Sequence, residues 1–442
     1  AQRRALRVQA GLAVALALAA LAAFVSRGGL TGGFALMGGM LIGAALLLPA
    51  VLAAILNAGA RAAKGPLAQW IWADSRQAMS GLSLALMALL IALAVNVGVG
   101  TMVDSFRRTF VGWLDRRLAA EVYLTGRDDT EAAALAAWID SRPEVTARLP
   151  IWSADTRVAG WPTEVYGFSD HPTYRDNWPM LDLAPRGWDL VAAGKAAMVS
   201  EQLARRAGLA VGDALAIPTP GGNWEARVAG VYSDYGNAAG QVMVAVEALT
   251  ARWPEVERRR FALRLDPAAA PALIADLRAA FDLGDEQVVD QAALKALSTR
   301  IFERTFAVTL ALNALTLAVA GVALFTSLLT LSGLRLAQLA PLWAMGITRR
   351  QLAAIELGKT LALAALTAVI ALPLGLAVAW VLTNVINVAA FGWRLPLFLF
   401  PGQWLILLGL ALLTAFVAAL WPVLRLRRAA PLTLLQSFSN ER

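Results

Sequence analysis

The chain has 442 residues, 58% of them hydrophobic and 16% charged, whereas soluble domains carry about a quarter charged residues, so the composition points to a bilayer. The absence of cysteine excludes disulfides and thiolate-ligated metals, and the single histidine, His171, removes most histidine-based metal sites and proton relays. The formal net charge of +8 would fit a polyanion partner only if the basic residues gathered on one soluble face.

The first residue is Ala1, and AQRRALR places basic residues ahead of an apolar run, as a signal peptide does. No small-residue cleavage site leads into a soluble domain and a second apolar run follows at once, so the segment reads as a transmembrane helix. The chain is expected to be the C-terminal part of a longer protein. Six stretches are long and apolar enough to cross about 30 Å of hydrocarbon. They are Val8–Val25, Phe34–Leu56, Leu82–Val103, Ala307–Leu331, Leu361–Leu382 and Trp404–Leu424. Pro49, Pro373 and Pro422 fall within or near the ends of these spans, where membrane helices tolerate them.

Lys and Arg set the orientation. One set of short segments holds Arg3, Arg4 and Arg7, then Arg61, Lys64 and Arg76, then Arg335, Arg349, Arg350 and Lys359, and finally Arg425, Arg427, Arg428 and Arg442. The alternate short loops hold only Arg27 and Arg394. Both termini are therefore expected in the cytoplasm of a bacterium, with residues of about 104–304 outside its inner membrane. That outer segment has 28 acidic and 23 basic residues. The basic excess thus lies along the cytoplasmic membrane face, which anionic lipid explains, and no nucleic-acid partner is expected.

The expected fold is a polytopic α-helical membrane protein of about six transmembrane helices, with one large α+β extracytoplasmic domain between spans three and four. Residues 1–65 form a helix pair. Gly65-Pro66 breaks the chain before residues 66–103, which read as a short interfacial helix with Trp70 and Trp72 at headgroup level, followed by the third span. Within 104–304, AEVYLTG is a strand and TEAAALAAWIDSRPEV a helix. TRVAGWPTEVYGF gives two strands about a turn, and KAAMVSEQLARRAGLAVGDALAI gives strand, helix, turn and strand. WEARVAGVYSDYGNAAGQVMVAV is predicted to be a hairpin about a glycine-containing loop. RRFALRLDP, ALIADLRAAF and EQVVDQ add another strand–helix–strand. Met102–Leu118 extends the third span outward, and residues 291–306 run as helix into the fourth. Residues 305–442 hold the last three spans, a cytoplasmic connection at 332–357 and a basic tail.

Catalytic motifs are not found. Gly358-Lys359-Thr360 has Ala353 where a phosphate-binding loop needs its first glycine, and it opens a transmembrane helix. His171 in SDHPTY reads as a turn residue. Asn96, Asn313 and Asn384 read as interhelical hydrogen-bond partners, and no charge lies near the centre of any span, which argues against ion-coupled transport.

The segment LRLAQLAPLWAMGITRRQLAAIE, Leu334–Glu356, resembles the cytoplasmic coupling segment of FtsX/MacB-type ABC permeases, whose sense is R-x-x-E-x-x-x-L-R-x-L-G-x-T-R-x-Q. Arg335, Gly346, Thr348, Arg349 and Gln351 fit; Gln338 stands where the family has glutamate, and Trp343 where it has arginine. WPVLRLRRAAPLTLLQ resembles the family's closing pattern. VYSDYGNAAGQVMV, with Asp234, Tyr235, Gly236 and Gly240, and FGWRLP in the last outer loop are similar to the long two-repeat members of the YbbP type. The resemblance implies a non-catalytic permease subunit that binds no cofactor itself. A separate cytoplasmic ATPase, holding ATP and Mg, would dock on the segment, with Met345, Arg350 and Glu356 joining the motif residues as contacts. It further implies a missing N-terminal repeat or a second permease copy. It also implies motion passed to the outer domain to move a lipid, lipoprotein or hydrophobic compound of the envelope, or to engage a periplasmic protein. The competing expectation is an ATPase-driven scaffold or receptor that regulates an envelope enzyme without transport.

Overall fold

A computed structural model describes residues 2–428 apart from Gly236 and Ala238, and within 333–344 the helix but not its side chains. The basic tail beyond Arg428 lies outside the described residues. The chain divides into two compact units. One holds Ala1–Ser105, Phe306–Ala389 and Pro396–Arg442, and the other holds Phe106–Thr305 with Ala390–Leu395.

Elements follow in chain order. Three helices come first: α1 (Gln2–Arg27), α2 (Gly29–Ala62) and α3 (Pro66–Arg117). The outer elements are β1 (Val122–Thr125), α4 (Asp129–Asp140), β2 (Val145–Pro150), β3 (Trp152–Val158), β4 (Trp161–Phe168), α5 (Pro172–Asn177) and β5 (Met180–Leu183). Next are α6 (Gly187–Ala192), β6 (Ala196–Ser200), α7 (Glu201–Ala207), β7 (Ala214–Thr219), β8 (Gly222–Tyr232), β9 (Gly240–Ala245), α8 (Val246–Arg252), β10 (Arg260–Leu265), α9 (Ala270–Phe281) and β11 (Val288–Asp290). The chain ends with α10 (Gln291–Ala344), α11 (Arg349–Val381), a π-turn (Leu382–Ile386), α12 (Asn387–Phe391) and α13 (Pro401–Arg428).

Among the described residues, six helices are long and apolar enough to cross a membrane: Leu6–Arg27, Gly29–Ala62, Gly81–Arg117, Gln291–Ser332, Arg349–Phe391 and Pro401–Arg427. They coincide with the six sequence-predicted spans. Gly65, at φ +99°, makes the turn that Pro66 then follows as the first helical residue. From there α3 runs unbroken to Arg117, so the predicted interfacial segment forms the opening turns of the same helix as the third span.

The membrane unit closes on leucine and alanine. Leu48 and Leu52 of α2, Leu86, Leu89 and Leu93 of α3, Ala364 and Ala371 of α11 and Ala411 of α13 form one buried cluster. Lipid tails are as apolar as leucine, so association of such helices depends on close van der Waals approach, which small residues permit. Gly98 and Gly375 answer each other across α3 and α11. A Cβ on Gly98 would lie 2.5 Å from Val378, and one on Gly375 2.5 Å from Val97. Asn96 donates to Thr316 Oγ1 at 3.0 Å, the interhelical bond expected of it. Asn384 instead donates within its own turn, to Thr383 Oγ1 at 2.9 Å.

The outer unit has two sheets. The four-stranded one, in the order β11-β1-β10-β2, is antiparallel throughout. Strand alternation gives it two faces. Val122, Leu124, Phe261 and Leu263 pack with α4 and α9, while Tyr123 and Ala262 point into a second, aromatic-rich core. The seven-stranded sheet runs β3-β4-β9-β6-β8-β5, with β7 also paired to β8. Its β3–β4 hairpin turns on Ala159 and Gly160, both at positive φ, which is what a two-residue hairpin loop requires. The expected hairpin between β8 and β9 is not formed. β6 lies between them, parallel to β8 and antiparallel to β9. The completely buried AAMVS of β6 needs a neighbour on each side and takes the central place.

Candidate functional site

The segment joining α10 to α11 is a capped turn. α10 ends at Ala344, and Gly346 takes φ +97°, a conformation costly to any residue with a Cβ. Thr348 is the N-cap of α11. Its Oγ1 accepts from the backbone N–H of Gln351 at 3.3 Å, and Gln351 Oε1 accepts the N–H of Thr348 at 2.9 Å, completing a capping box. Gly346, Thr348 and Gln351 are therefore engaged in building the turn. The residues it presents are Met345, 72% exposed, and Arg350. Ile347, Leu352 and Ala353 fix its base against Trp70 of α3 and Val423 and Leu426 of α13. Arg335, Gln338 and Trp343 lie on the last turns of α10, and their side chains fall outside the described residues.

Glu356 is not on the exposed face. One turn inside α11 it pairs with Lys359, whose ammonium also reaches Asp74 of α3 and sits 5.4 Å from the Trp70 ring centre. The side chains of Lys359 and Asp74 are 5% and 7% exposed. Gly358-Lys359-Thr360 thus lies within a continuous helix, and its lysine ties α11 to α3. Sequence reasoning read Lys359 as a charge of the cytoplasmic segments and as part of an incomplete phosphate-loop run, and singled out no partner for it. The pairing of Asp74 and Lys359 across 285 positions has no local signature.

In the outer unit, Asp234 and Tyr235 follow the end of β8, Gly240 opens β9, and Gly236 lies outside the described residues. Gln202 of α7 is fully buried, and its amide donates to the carbonyls of Asp234, Asn237 and Ala239 at 3.1, 3.2 and 3.4 Å. Asn237 donates to Asp234 Oδ2 at 3.1 Å. Burial pushes the Asp234 carboxyl above the ordinary aspartate value, although Arg117 and Asn237 pull the other way. Gly240 packs closely: a Cβ there would meet Leu203 and Thr163 at 3.1 Å.

The FGWRLP loop meets the same place. Trp393 sets its ring against Tyr235 at 5.1 Å and against Phe106 at 5.5 Å. Gly392, at φ +82°, lies against Gln202, where a Cβ would come within 3.0 Å. The Arg394 N–H donates to Glu201 Oε1 at 3.2 Å. Trp113 of α3 donates to the carbonyl of Ser233 at 3.1 Å. The structure therefore brings together the two outer motifs that the sequence placed 157 positions apart, counting from Asp234 to Phe391. Gln202 and Trp113, which help hold the assembly, carried no motif of their own, whereas Trp393 belongs to FGWRLP. The described residues contain no group of three or more His, Asp or Glu placed to hold a metal.

Two family models match the chain: the MacB-like periplasmic core domain over residues 82–280 and the FtsX-like permease C-terminal domain over residues 310–431. The chain is also 29% identical over 385 residues to an uncharacterised ABC transporter permease protein of Mycobacterium tuberculosis. The match covers 82% of this chain and 44% of that protein, so the chain spans under half the length of this curated relative. Two solved structures match part of the chain. The periplasmic region of MacB from Actinobacillus actinomycetemcomitans has a TM-score of 0.30 at 11% identity, over 40% of this chain and 91% of that one. The extracellular domain of the transporter YknZ from Gram-positive bacteria has 0.27 at 13%, over 39% and 98%. The protein is thus a multi-pass membrane protein with an extracytoplasmic α+β domain between its spans. It belongs to the FtsX/MacB-type permeases, within the ABC transporter permeases.

Proposed function

We propose that the chain is a non-catalytic permease subunit whose turn between α10 and α11 receives a cytoplasmic ATPase. On this reading that ATPase holds the ATP and Mg, and its strokes pass along α3 and α10 to the outer domain. The observation that carries it is the division of labour in the turn. Gly346, Thr348 and Gln351 fix the backbone, so Met345 and Arg350 are held out at a set position, an apolar and a cationic contact on a stiff mount. On this reading both termini lie on the cytoplasmic side of a bacterial inner membrane, which the Lys and Arg asymmetry of the short segments supports. A second permease repeat, or a second copy, completes the complex. On this reading the cargo is an envelope lipid, lipoprotein or hydrophobic compound, in keeping with the leucine- and alanine-rich cluster that the described spans bury.

The test is co-purification of the ATPase with the intact protein, followed by its hydrolysis rate. Gly346→Pro combined with Arg350→Glu is expected to lower stimulation at least about tenfold, one lost charged contact and a broken turn together exceeding about 1.4 kcal/mol. Unchanged coupling by this variant overturns the docking assignment.

A further inference from the structure

The outer unit contains a cavity of about 420 Å³ in the seam between its two sheets, which is within the size range of small-ligand sites. Tyr123 of β1, Tyr166 of β4, and Tyr174 and Trp178 beside α5 give it aromatic walls. Arg117, the last residue of α3, lies over the Trp178 ring at 4.0 Å. The Tyr166 and Tyr174 hydroxyls bond each other at 3.0 Å. Burial raises the pKa of both, so they remain neutral hydroxyls.

Two donors in this lining stand out. Trp178 is 8% exposed, and its Nε1–H has no hydrogen-bond partner among the described residues. Arg117 Nη1 likewise has none. Its Nη2 reaches Gln241 Oε1 at 3.5 Å and Asp234 Oδ1 at 3.9 Å, both longer than a normal N–H···O bond. A buried donor left unmade is costly, so two in one aromatic cavity point to an acceptor that the chain itself does not supply. Arg116 and Arg260 also line the space, against the single acid Glu286, so the local charge favours an anion.

We propose that this cavity binds a small anionic amphiphile. Its carboxylate or phosphate head would accept from Arg117 and the Trp178 indole, and its apolar tail would lie along the tyrosines. The site stands apart from the ATPase-docking reading, since binding is measured without nucleotide or partner. Because Trp113 and Arg117 of α3 and Leu294 of α10 line the cavity, occupancy would bear on both helices that continue into spans.

The test is calorimetric titration of the full chain in phosphatidylcholine nanodiscs with octanoate and with octyl phosphate, empty discs serving as the blank. Octan-1-ol and inorganic phosphate separate the contributions of tail and head. At least one of the two anionic amphiphiles is expected to bind about tenfold or more tighter than either fragment, since a charge-assisted bond and buried tail act together. Which of the two binds better tells a fatty carboxylate from a phospholipid-like ligand. Trp178→Phe keeps an aromatic wall without the N–H, and Arg117→Lys keeps the charge without the fork; each is expected to weaken binding several-fold. No binding by either amphiphile overturns the proposal. So does equal binding of octan-1-ol, equal binding of inorganic phosphate, or an unchanged affinity in Trp178→Phe. If Arg117→Lys fails to fold, the Trp178→Phe result decides alone.

Discussion

Lys359 is the residue whose environment differs most from what its neighbours in sequence imply. It stands in a Gly-Lys-Thr run counted among the basic cytoplasmic segments, yet it is buried between Asp74 and Glu356. Removing one member of a buried pair leaves an uncompensated charge, which typically costs about 3–5 kcal/mol. Lys359→Met is therefore expected to lower the thermal stability of the detergent-solubilised protein markedly, because two carboxylates would then face each other without a cation. Replacing the whole cluster, with Asp74→Leu and Glu356→Gln added, is expected to recover most of the loss. A double- or triple-variant series read by thermal unfolding checks this. If Lys359→Met is as stable as the parent, the ion pair does not hold α11 to α3. Charge counting placed these residues near the cytoplasmic face but could not pair them, because a contact between positions 74 and 359 depends on the whole bundle being formed.

At the scale of elements, local periodicity carried most of the fold. The apolar runs gave all six spans because a bilayer demands about 20 apolar residues whatever the tertiary contacts. The β3–β4 hairpin was legible because Ala159-Gly160 has the chemistry of its turn. The β8–β9 pairing failed for the opposite reason. The loop between them is held by Gln202 from α7 as well as by its own Asn237, and β6 takes the space between the strands. Gln202→Ala should release the carbonyls of Asp234, Asn237 and Ala239 at once. Each buried acceptor left without a donor costs about 1–3 kcal/mol, discounted where another donor can reach it. Hydrogen exchange over residues 233–240 is expected to speed up at least tenfold in that variant, with exchange in α4 and α9 unchanged. Equal protection in the parent and the variant would show that the loop is held by Trp393 and Trp113 instead. The turn between α10 and α11 was legible in the same partial way. Its glycine, threonine and glutamine carried the resemblance because a positive φ and a capping box admit few residues, whereas Glu356 reads as a surface contact until Lys359 is seen beside it.

For the whole molecule the decisive fact is the length of two helices. α3 has 52 residues and α10 has 54, so at 1.5 Å per residue each extends roughly 80 Å, more than twice the hydrocarbon thickness. Each gives part of its length to the membrane unit and part to the outer unit, with the division at Ser105/Phe106 in α3 and Thr305/Phe306 in α10. A continuous helix transmits axial and bending load because every turn is held to the next by backbone hydrogen bonds, whereas a flexible linker does not. If the outer domain is driven through these helices, stiffness at the two divisions matters more than side-chain identity there. Inserting Gly-Gly-Ser-Gly at both divisions is therefore expected to leave basal ATPase docking unchanged while abolishing ATP-dependent movement of the outer domain, followed by a fluorophore pair within the complex. Inserting seven residues of Glu-Ala-Ala-Ala-Lys-Ala-Ala, about two helical turns, nearly restores the original facing of the flanking side chains and keeps the rod, so it should retain most of the movement. If the glycine and helical insertions behave alike, the drive does not run along α3 and α10.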